Sequence, residues 1–215
     1  MAPVTVDRFV VNRSVSQSAG DVILGRAHML QRVLAQVAQQ GQQVEQAVSV
    51  TVQALAAGKL VLACGNGGSA ADAQHMVGEL VGRFLREREP WPAMALTTDS
   101  SILTSISNDY GFDYVFQRQV AAFGQPGGVF IGFSTSGESR NVLYAAGEAR
   151  RRGMRVVAFT GQSPSSLSDA ADIVLSVPVT STPLVQEVHG VLLHVVCDMV
   201  EAELADLEQR KETVA

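Results

Sequence analysis

The stretch KLVLACGNGGS, residues 59–69, decides the fold of this chain. A short apolar run leads directly into a turn of glycine, asparagine and serine, and residues at helical spacing follow. Continuous apolar runs of this length are typical of strands in a parallel sheet that is covered on both faces. A helix that begins after such a turn presents unpaired N–H groups and the positive end of its dipole. The stretch therefore predicts a buried strand whose end can cradle an anion.

A second turn of the same kind, STSGES at residues 134–139, follows the apolar run 129–133. Its glycine allows a ligand to approach the backbone closely, and its hydroxyl groups are neutral hydrogen-bond donors. A tight turn that binds no ligand is the alternative interpretation of either turn alone. Together the two turns indicate a site for a phosphorylated or otherwise polyhydroxylic small molecule.

Strands and helices alternate along most of the chain. Predicted strands cover 59–64, 93–97, 128–133, 155–160 and 172–177. Predicted helices cover 69–84, 100–107, 112–122, 139–152, 165–170 and 184–208, after a helix or helix pair over 21–57 that is broken near 39–43. We therefore expect an α/β fold, a doubly wound parallel five-stranded sheet with an N-terminal helical extension and a long C-terminal helix. Ligands of such sheets bind outside the carboxyl ends of the strands, where both turns lie.

One domain is expected, because 215 residues of ordinary composition can bury a single core. We predict a flexible N-terminus over 1–20, a helical segment over 21–57, the main domain over 58–208 and a tail over 209–215.

Composition and charge exclude several classes of function. Hydrophobic residues make up 47% of the chain and charged residues 17%, and the net charge of −5 gives no basic surface for nucleic acid. No apolar run reaches the roughly 18–20 residues of a membrane span, and the N-terminus lacks the order of a secretory signal. We expect a cytoplasmic protein without a membrane or nucleic-acid partner, in which Cys64 and Cys197 are buried free thiols.

The first turn also satisfies the dinucleotide-binding pattern G-x-G-x-x-G/A over residues 65–70. Asp99 follows the second predicted strand, as a ribose-binding acid would, but it lies 34 residues beyond Gly65. The usual separation is about 20 residues. Because a nucleotide site also leaves the second turn without a role, it is the weaker interpretation.

A histidine and a carboxylate share one face of the helix that follows the first turn. His75 and Glu79 are four residues apart, which places them one above the other. Such a pair can hold a metal, supply a base or form an ordinary surface hydrogen bond. Spacing alone leaves these alternatives open.

The last predicted helix places Gln186, Glu187, His189 and His194 within an otherwise apolar run. Burying a polar side chain without a partner costs on the order of 1–3 kcal/mol, so partners or a ligand are expected. Asp198, one turn beyond His194, can hold that histidine in its neutral form. On spacing alone Glu187 shares a face with His194 better than Gln186 does, because seven residues are close to two helical turns.

These motifs together resemble the sugar isomerase (SIS) domain family, and within it the phosphoheptose isomerases. The resemblance covers about residues 55–204 and is carried by CGNGGSAADAQH at 64–75, Glu79-Leu80, Asn108-Asp109-Tyr110, STSG at 134–137 and QEVH at 186–189. It implies a flavodoxin-like sandwich and conversion of sedoheptulose 7-phosphate to D-glycero-D-manno-heptose 7-phosphate through an enediolate. That reaction is an early step toward heptose-containing surface carbohydrate such as lipopolysaccharide. A cytoplasmic homotetramer that binds zinc is also implied.

The resemblance also implies roles for individual residues. Glu79 and His194 would be the catalytic acid–base pair, and zinc would be held by His75, Glu79, Gln186 and His194. The implied substrate contacts are Asn66, Gly67, Gly68, Ser69, Glu79, Asn108, Asp109, Gln186 and the phosphate-binding residues Ser134, Thr135, Ser136 and Ser139.

The chain departs from the family pattern at one place, because Pro183-Leu184-Val185 stand where an acidic and a basic residue typically precede the glutamine. The main alternative function is that of a sister group with the same fold, which binds the bacterial replication initiator without isomerase chemistry. That group lacks the counterparts of Glu79 and His194, which this chain has. A module that senses sugar phosphates is a further alternative.

Overall fold

The computed structural model describes residues 18–214, and side chains are described for residues 18–207. Most of the predicted flexible N-terminus, residues 1–17, lies outside the described residues. Five parallel strands form one sheet in this part of the chain: β1 (Val61–Gly65), β2 (Ala93–Ala95), β3 (Val129–Ser134), β4 (Arg155–Thr160) and β5 (Ile173–Ser176). Eight α-helices are described with them: α1 (Ala19–Val37), α2 (Gly41–Ala56), α3 (Gly68–Val81), α4 (Ser100–Tyr110), α5 (Val115–Phe123), α6 (Arg140–Arg151), α7 (Ser166–Ala170) and α8 (Thr182–Val214).

The sheet has the order β2-β1-β3-β4-β5 and is parallel throughout, which confirms the predicted doubly wound α/β fold. The order reverses between β1 and β3, since the chain passes from β1 to one side and returns on the other. A crevice opens at such a switch point. Gly65 at the end of β1 is in register with Phe133, one residue before the second turn, so both predicted turns border this crevice.

Apolar side chains cover both faces of the sheet. On one face α1, α2, α3 and α8 enclose one hydrophobic cluster, and on the other α5, α6 and α7 enclose a second. Every residue of β1 and β3 is buried, as expected for central strands between two helical layers. Cys64 and Cys197 are free and buried as predicted, and desolvation raises the pKa of Cys197 to about 12.

The boundaries of a few elements differ from the predicted ones. A 3-10 turn over Ala38–Gln40 separates α1 from α2, which confirms the predicted break in the N-terminal helical segment. Helix α3 ends at Val81 and not at 84, because the chain turns away at Gly82. Helix α8 begins at Thr182 and continues to Val214, beyond the predicted end at 208. Pro183 is compatible with this start, because the first helical turn needs no N–H from it.

Candidate functional site

Helices α3 and α8 pack side by side and bring three predicted ligands together. His75 and Glu79 lie one turn apart on α3, with Nε2 of His75 3.1 Å from Oε1 of Glu79. His194 reaches across from α8, and its Nε2 lies 3.2 Å from Nε2 of His75. One ligand atom from each of the three residues lies within 4.8 Å of the others. The sequence placed two of these residues on one helix, and the tertiary structure adds the third.

The donor set of this cluster fits a zinc ion. Two imidazole nitrogens that face each other at 3.2 Å repel unless a proton or a cation lies between them. Zinc prefers nitrogen and carboxylate ligands at about 2.0–2.2 Å, which places neighbouring ligand atoms of a tetrahedron roughly 3.4 Å apart. The observed separations of 3.1 and 3.2 Å are close to that value. His75, Glu79 and His194 are therefore residues that could hold zinc.

The structure places Gln186, the fourth predicted ligand, at the first turn of α3. A Cβ atom added to Gly68 would come within 2.5 Å of Nε2 of Gln186, so the amide lies directly against the glycine. Gly68 precedes His75 by seven residues, about 10 Å along the helix. Gln186 thus borders the first glycine turn, as a substrate contact would, and its role as a ligand stays a prediction.

The side chain of Asn66 in the first turn is held by a residue that the sequence reasoning missed. Asn66 and Asn141 exchange two amide hydrogen bonds of 2.8 Å, and Asn141 Oδ1 also accepts from the N–H of Val142. This pair ties the first turn to the start of α6, directly after the second turn. Gly67 adopts a φ of 55°, and no side chain caps the start of α3. The N–H groups of Ser69 and Ala70 donate to carbonyl oxygens within the turn, so binding of an anion there stays a prediction.

The second turn is built from its own hydroxyl groups. The hydroxyl of Ser134 donates to Oγ of Ser139 at 3.0 Å, and Oγ of Ser136 accepts from the N–H of Glu138 at 3.1 Å. The positive φ of 69° at Gly137 allows this tight path. Glu138 accepts two hydrogen bonds from Ser166 at the start of α7, which lower its pKa. The side chain of Ser139, the N-cap residue of α6, accepts no hydrogen bond from that helix.

Asn108 and Asp109 lie exposed on the last turn of α4. Nδ2 of Asn108 donates to Oδ1 of Asp109 at 2.8 Å, so the structure joins these two predicted substrate contacts to each other. Their predicted contact with substrate stays a prediction.

Asp72, one turn before His75 on α3, is a further acidic group beside the cluster. Desolvation raises its pKa to about 6, and the nearby charge of His75 opposes part of that rise. Its Oδ2 is buried and has no hydrogen-bond partner in the described part of the chain. The three-residue spacing of Asp72 and His75 is the signal from which the sequence could have selected it.

Three other polar residues of α8 point to different neighbours. Glu187, which spacing alone favoured over Gln186, pairs with Arg26 of α1, with Oε1 and Nε 3.0 Å apart. His189 is completely buried, and its Nε2 lies 3.1 Å from the carbonyl oxygen of Thr160. Glu201 is 1% exposed and accepts hydrogen bonds from the segment that follows α3. Nothing in the sequence reasoning selected Glu201, whose only signal is a carboxylate between the apolar residues of this helix.

Comparison with known proteins identifies the family of this chain. The family model of the SIS domain matches residues 27–161. The chain is 48% identical to a phosphoheptose isomerase of Rhodospirillum rubrum over 161 residues, which are 75% of this chain and 86% of that protein. It is 58% identical to a phosphoheptose isomerase of Roseiflexus sp. (strain RS-1) over 147 residues, 68% of this chain and 74% of that protein.

A solved structure shows the same arrangement of elements. The structure of phosphoheptose isomerase GmhA from Neisseria gonorrhoeae superposes with a TM-score of 0.80 at 39% identity, covering 86% of this chain and 100% of that chain. The chain is a member of the SIS-domain family and belongs, within it, to the phosphoheptose isomerases. It is accordingly an isomerase that acts on a sugar phosphate. Among the helices described, none is both long and apolar enough to cross a membrane.

Proposed function

We propose that the chain converts sedoheptulose 7-phosphate to D-glycero-D-manno-heptose 7-phosphate, with Glu79 and His194 as its acid–base pair. The observation that carries this proposal is the convergence of His75, Glu79 and His194 between α3 and α8. Moving a carbonyl from C2 to C1 requires a base and an acid within reach of two adjacent carbon atoms. The carboxylate of Glu79 and the imidazole of His194 both approach the ring of His75, so they lie close enough together to serve as such a pair.

In the proposed reaction Glu79 removes a proton from C1 and leaves an enediolate across C1 and C2. His194 donates a proton to C2, and proton exchange with solvent then returns Glu79 and His194 to their starting protonation states. The C1 hydroxyl proton passes to the oxygen on C2 as C1 becomes the carbonyl carbon. Zinc held by the cluster would polarise the carbonyl and stabilise negative charge on the substrate oxygens. Because a carboxylate bound tightly to zinc is a poorer base, the metal would have to sit to one side or Glu79 would have to change its coordination during turnover.

The two glycine turns are proposed to hold the substrate. Ser134, Thr135, Ser136 and Ser139 would bind the phosphate with their hydroxyl groups and the N–H groups at the start of α6. Asn66, Gly67, Gly68, Ser69 and Gln186 would border the sugar, together with Asn108 and Asp109. The amide pair of Asn66 and Asn141 supports this scheme, because it fixes the distance between the two turns.

We further propose a cytoplasmic homotetramer in which zinc is bound by Gln186 in addition to the three clustered residues. Exposed apolar side chains on α1 and α8 support assembly: Ile23 is 68% exposed, Leu24 60% and Val195 40%. Val195 directly follows His194, so packing of a second subunit there would bring it next to the cluster. Apolar surface of this kind is commonly covered in closed symmetric assemblies.

The test is turnover of sedoheptulose 7-phosphate in D2O, with the product detected by nuclear magnetic resonance. Wild-type protein should form the heptose with solvent deuterium at C2, because the proton that His194 donates has exchanged with solvent. Glu79→Gln should lower kcat by on the order of 10²-fold or more while the fold is kept. Glu45→Gln, which changes an exposed carboxylate on α2, is the matched control. A fully active Glu79→Gln enzyme would remove Glu79 as the base.

A further inference from the structure

The segment that connects α3 to β2, residues 82–92, is anchored by buried charges. Its charged run over 86–89 is typical of a solvated loop, and most of its side chains are exposed. Arg88 is the exception, with 8% of its side chain exposed, and its partner Glu201 on α8 is 1% exposed. A buried ion pair is stable only when further hydrogen bonds satisfy its charged atoms. The groups that form these hydrogen bonds with Arg88 and Glu201 are therefore held in place by the pair.

The carboxylate of Glu201 fixes the path of this connecting segment. It accepts hydrogen bonds from three successive backbone N–H groups, those of Phe84 at 3.0 Å and of Leu85 and Arg86 at 2.8 Å. Nε of Arg88 donates to the same carboxylate at 3.0 Å. Desolvation raises the pKa of Glu201 most strongly, but these four hydrogen bonds outweigh it and hold the pKa below its ordinary value. The carboxylate is thus ionised and fully engaged.

The guanidinium of Arg88 also caps the end of α3. Its Nη2 donates to the carbonyl oxygen of Glu79 at 2.7 Å, and its Nη1 donates to that of Leu80 at 3.0 Å. Its central carbon lies 3.5 Å from the centroid of the Trp91 ring. The last carbonyl groups of a helix have no partner within the helix, and a cation there is favourable. Arg88 therefore fixes the backbone of the residue that carries the proposed base.

The anchored segment also reaches the histidine cluster. The ring of Phe84 packs on the ring of His194, with centroids 5.6 Å apart. Phe84 takes this position because Glu201 binds its N–H, and Glu201 lies seven residues beyond His194 on the same helix. One carboxylate therefore sets the position of a ring that contacts the proposed acid.

We propose that Arg88 and Glu201 are positioning residues for the cluster of His75, Glu79 and His194. They act through the carbonyl group of Glu79 and through the ring of Phe84, and they do not act on the substrate. The inference rests on the roles proposed above for the three clustered residues. If this is correct, weakening the ion pair should lower kcat and zinc affinity while the protein still folds.

The decisive variant is Arg88→Lys. It keeps the buried positive charge, but an ammonium group cannot reproduce the planar fork that reaches Glu201 and two carbonyl oxygens at once. Groups that orient metal ligands typically change affinity or activity by roughly 10- to 100-fold when they are altered. We expect a loss of this size in kcat for sedoheptulose 7-phosphate and in zinc affinity, measured against a chromophoric chelator. KM should change less than about 3-fold, since substrate contacts are kept.

Glu148→Gln provides the matched control. Glu148 is also a nearly buried carboxylate, 7% exposed, that pairs with Arg151 and Arg152, but it lies at the far end of α6. It should lose stability without loss of kcat or zinc affinity. Phe84→Leu leaves the ion pair intact and should reproduce part of the Arg88→Lys effect, so it decides the matter if Arg88→Lys does not fold.

The three readouts separate this inference from the proposed function. The imidazole signals of His194 in metal-free protein, followed by nuclear magnetic resonance, should shift in Arg88→Lys and Phe84→Leu but not in Glu148→Gln. If the wild type does not turn over the heptose phosphate, the proposed function fails, and zinc affinity and the His194 signals still test positioning. Folded Arg88→Lys and Phe84→Leu proteins with unchanged kcat, zinc affinity and His194 signals would overturn the inference.

Discussion

His189 and His194 lie five residues apart on α8 and have opposite environments. His194 is accessible to solvent and contacts His75 and Phe84 at the candidate site. His189 is completely buried between the rings of Phe133 and Phe159 and binds the carbonyl oxygen of Thr160. Five residues rotate a helix by about 140°, so the two side chains leave it on different sides. Helix α8 thus contributes one histidine to the candidate site and another to the hydrophobic core.

The buried histidine is held in its neutral form. Desolvation lowers the pKa of His189 to about 4, and the hydrogen bond to Thr160 opposes only part of this effect. Nε2 carries the proton that is donated to Thr160, and Nδ1 is buried without a partner among the described side chains. Thr160 is in register with Ser134, so His189 supports the sheet edge next to the second turn. A group with this pKa cannot act as the acid near neutral pH.

Replacing the accessible histidine tests its proposed catalytic role most directly. His194→Gln should lower kcat by on the order of 10²-fold or more, because the proposed acid is lost. Its melting temperature in the absence of metal should stay close to that of the wild type. Steady-state turnover and thermal unfolding measure the two effects. Comparable turnover in His194→Gln and wild type would show that the acid lies elsewhere.

The buried histidine should instead control stability as a function of pH. In the unfolded chain His189 takes up a proton near pH 6.5, whereas in the folded state it does so near pH 4. Its contribution to stability is therefore complete above pH 6.5 and is lost as the pH falls toward 4. The full loss is about 3 kcal/mol, from the difference in pKa. His189→Gln should lack this pH dependence.

Urea unfolding of wild type and His189→Gln between pH 7 and pH 4 measures this difference. Asp72, whose raised pKa of about 6 acts in the opposite direction over the same range, is present in both proteins and cancels. The stability gap between the two proteins should shrink steadily as the pH falls. A gap that stays constant over this range would mean that His189 is not held neutral.

Added zinc should also distinguish the two histidines. A metal that binds only the folded protein raises its stability in proportion to the logarithm of its concentration above Kd. Micromolar zinc should therefore raise the melting temperature of chelator-treated wild type and of His189→Gln by a few degrees, and should restore about 10-fold or more of the activity that chelation removes. His194→Gln should show neither effect. An equal response in all three proteins would place the zinc outside the cluster.

The smallest effects on kinetics are expected at the second turn. His189 binds Thr160, which is in register with Ser134 of this turn. Ser134→Ala or Ser136→Ala removes one hydroxyl group and leaves the backbone N–H groups in place. KM should rise by roughly 2- to 10-fold with little change in kcat, because a single hydrogen bond contributes about 0.5–1.5 kcal/mol equally to substrate and transition state. Initial rates over a range of substrate concentrations decide this. An unchanged KM in both variants would indicate that the phosphate binds at the first turn.

The sequence alone predicted the order of the elements, which the structure confirms. Apolar runs of five or six residues followed by glycine turns predicted β1 and β3, because both strands are buried between helical layers. Four-residue spacing predicted that His75 and Glu79 share a face, because that neighbourhood is local to one helix. The free buried cysteines and the break between α1 and α2 followed from local composition in the same way.

Only the tertiary structure decided which distant residues meet. Spacing within α8 favoured Glu187 over Gln186, but contacts made by α1 and α3 assign Glu187 to Arg26 and Gln186 to Gly68. His194 reaches His75 instead of depending on a partner within its own helix. A charged run that looks solvated contains Arg88, which is buried because Glu201 lies 113 residues away in sequence and adjacent in space. Periodicity reports the face of one helix, whereas these contacts depend on how two helices and a loop pack together.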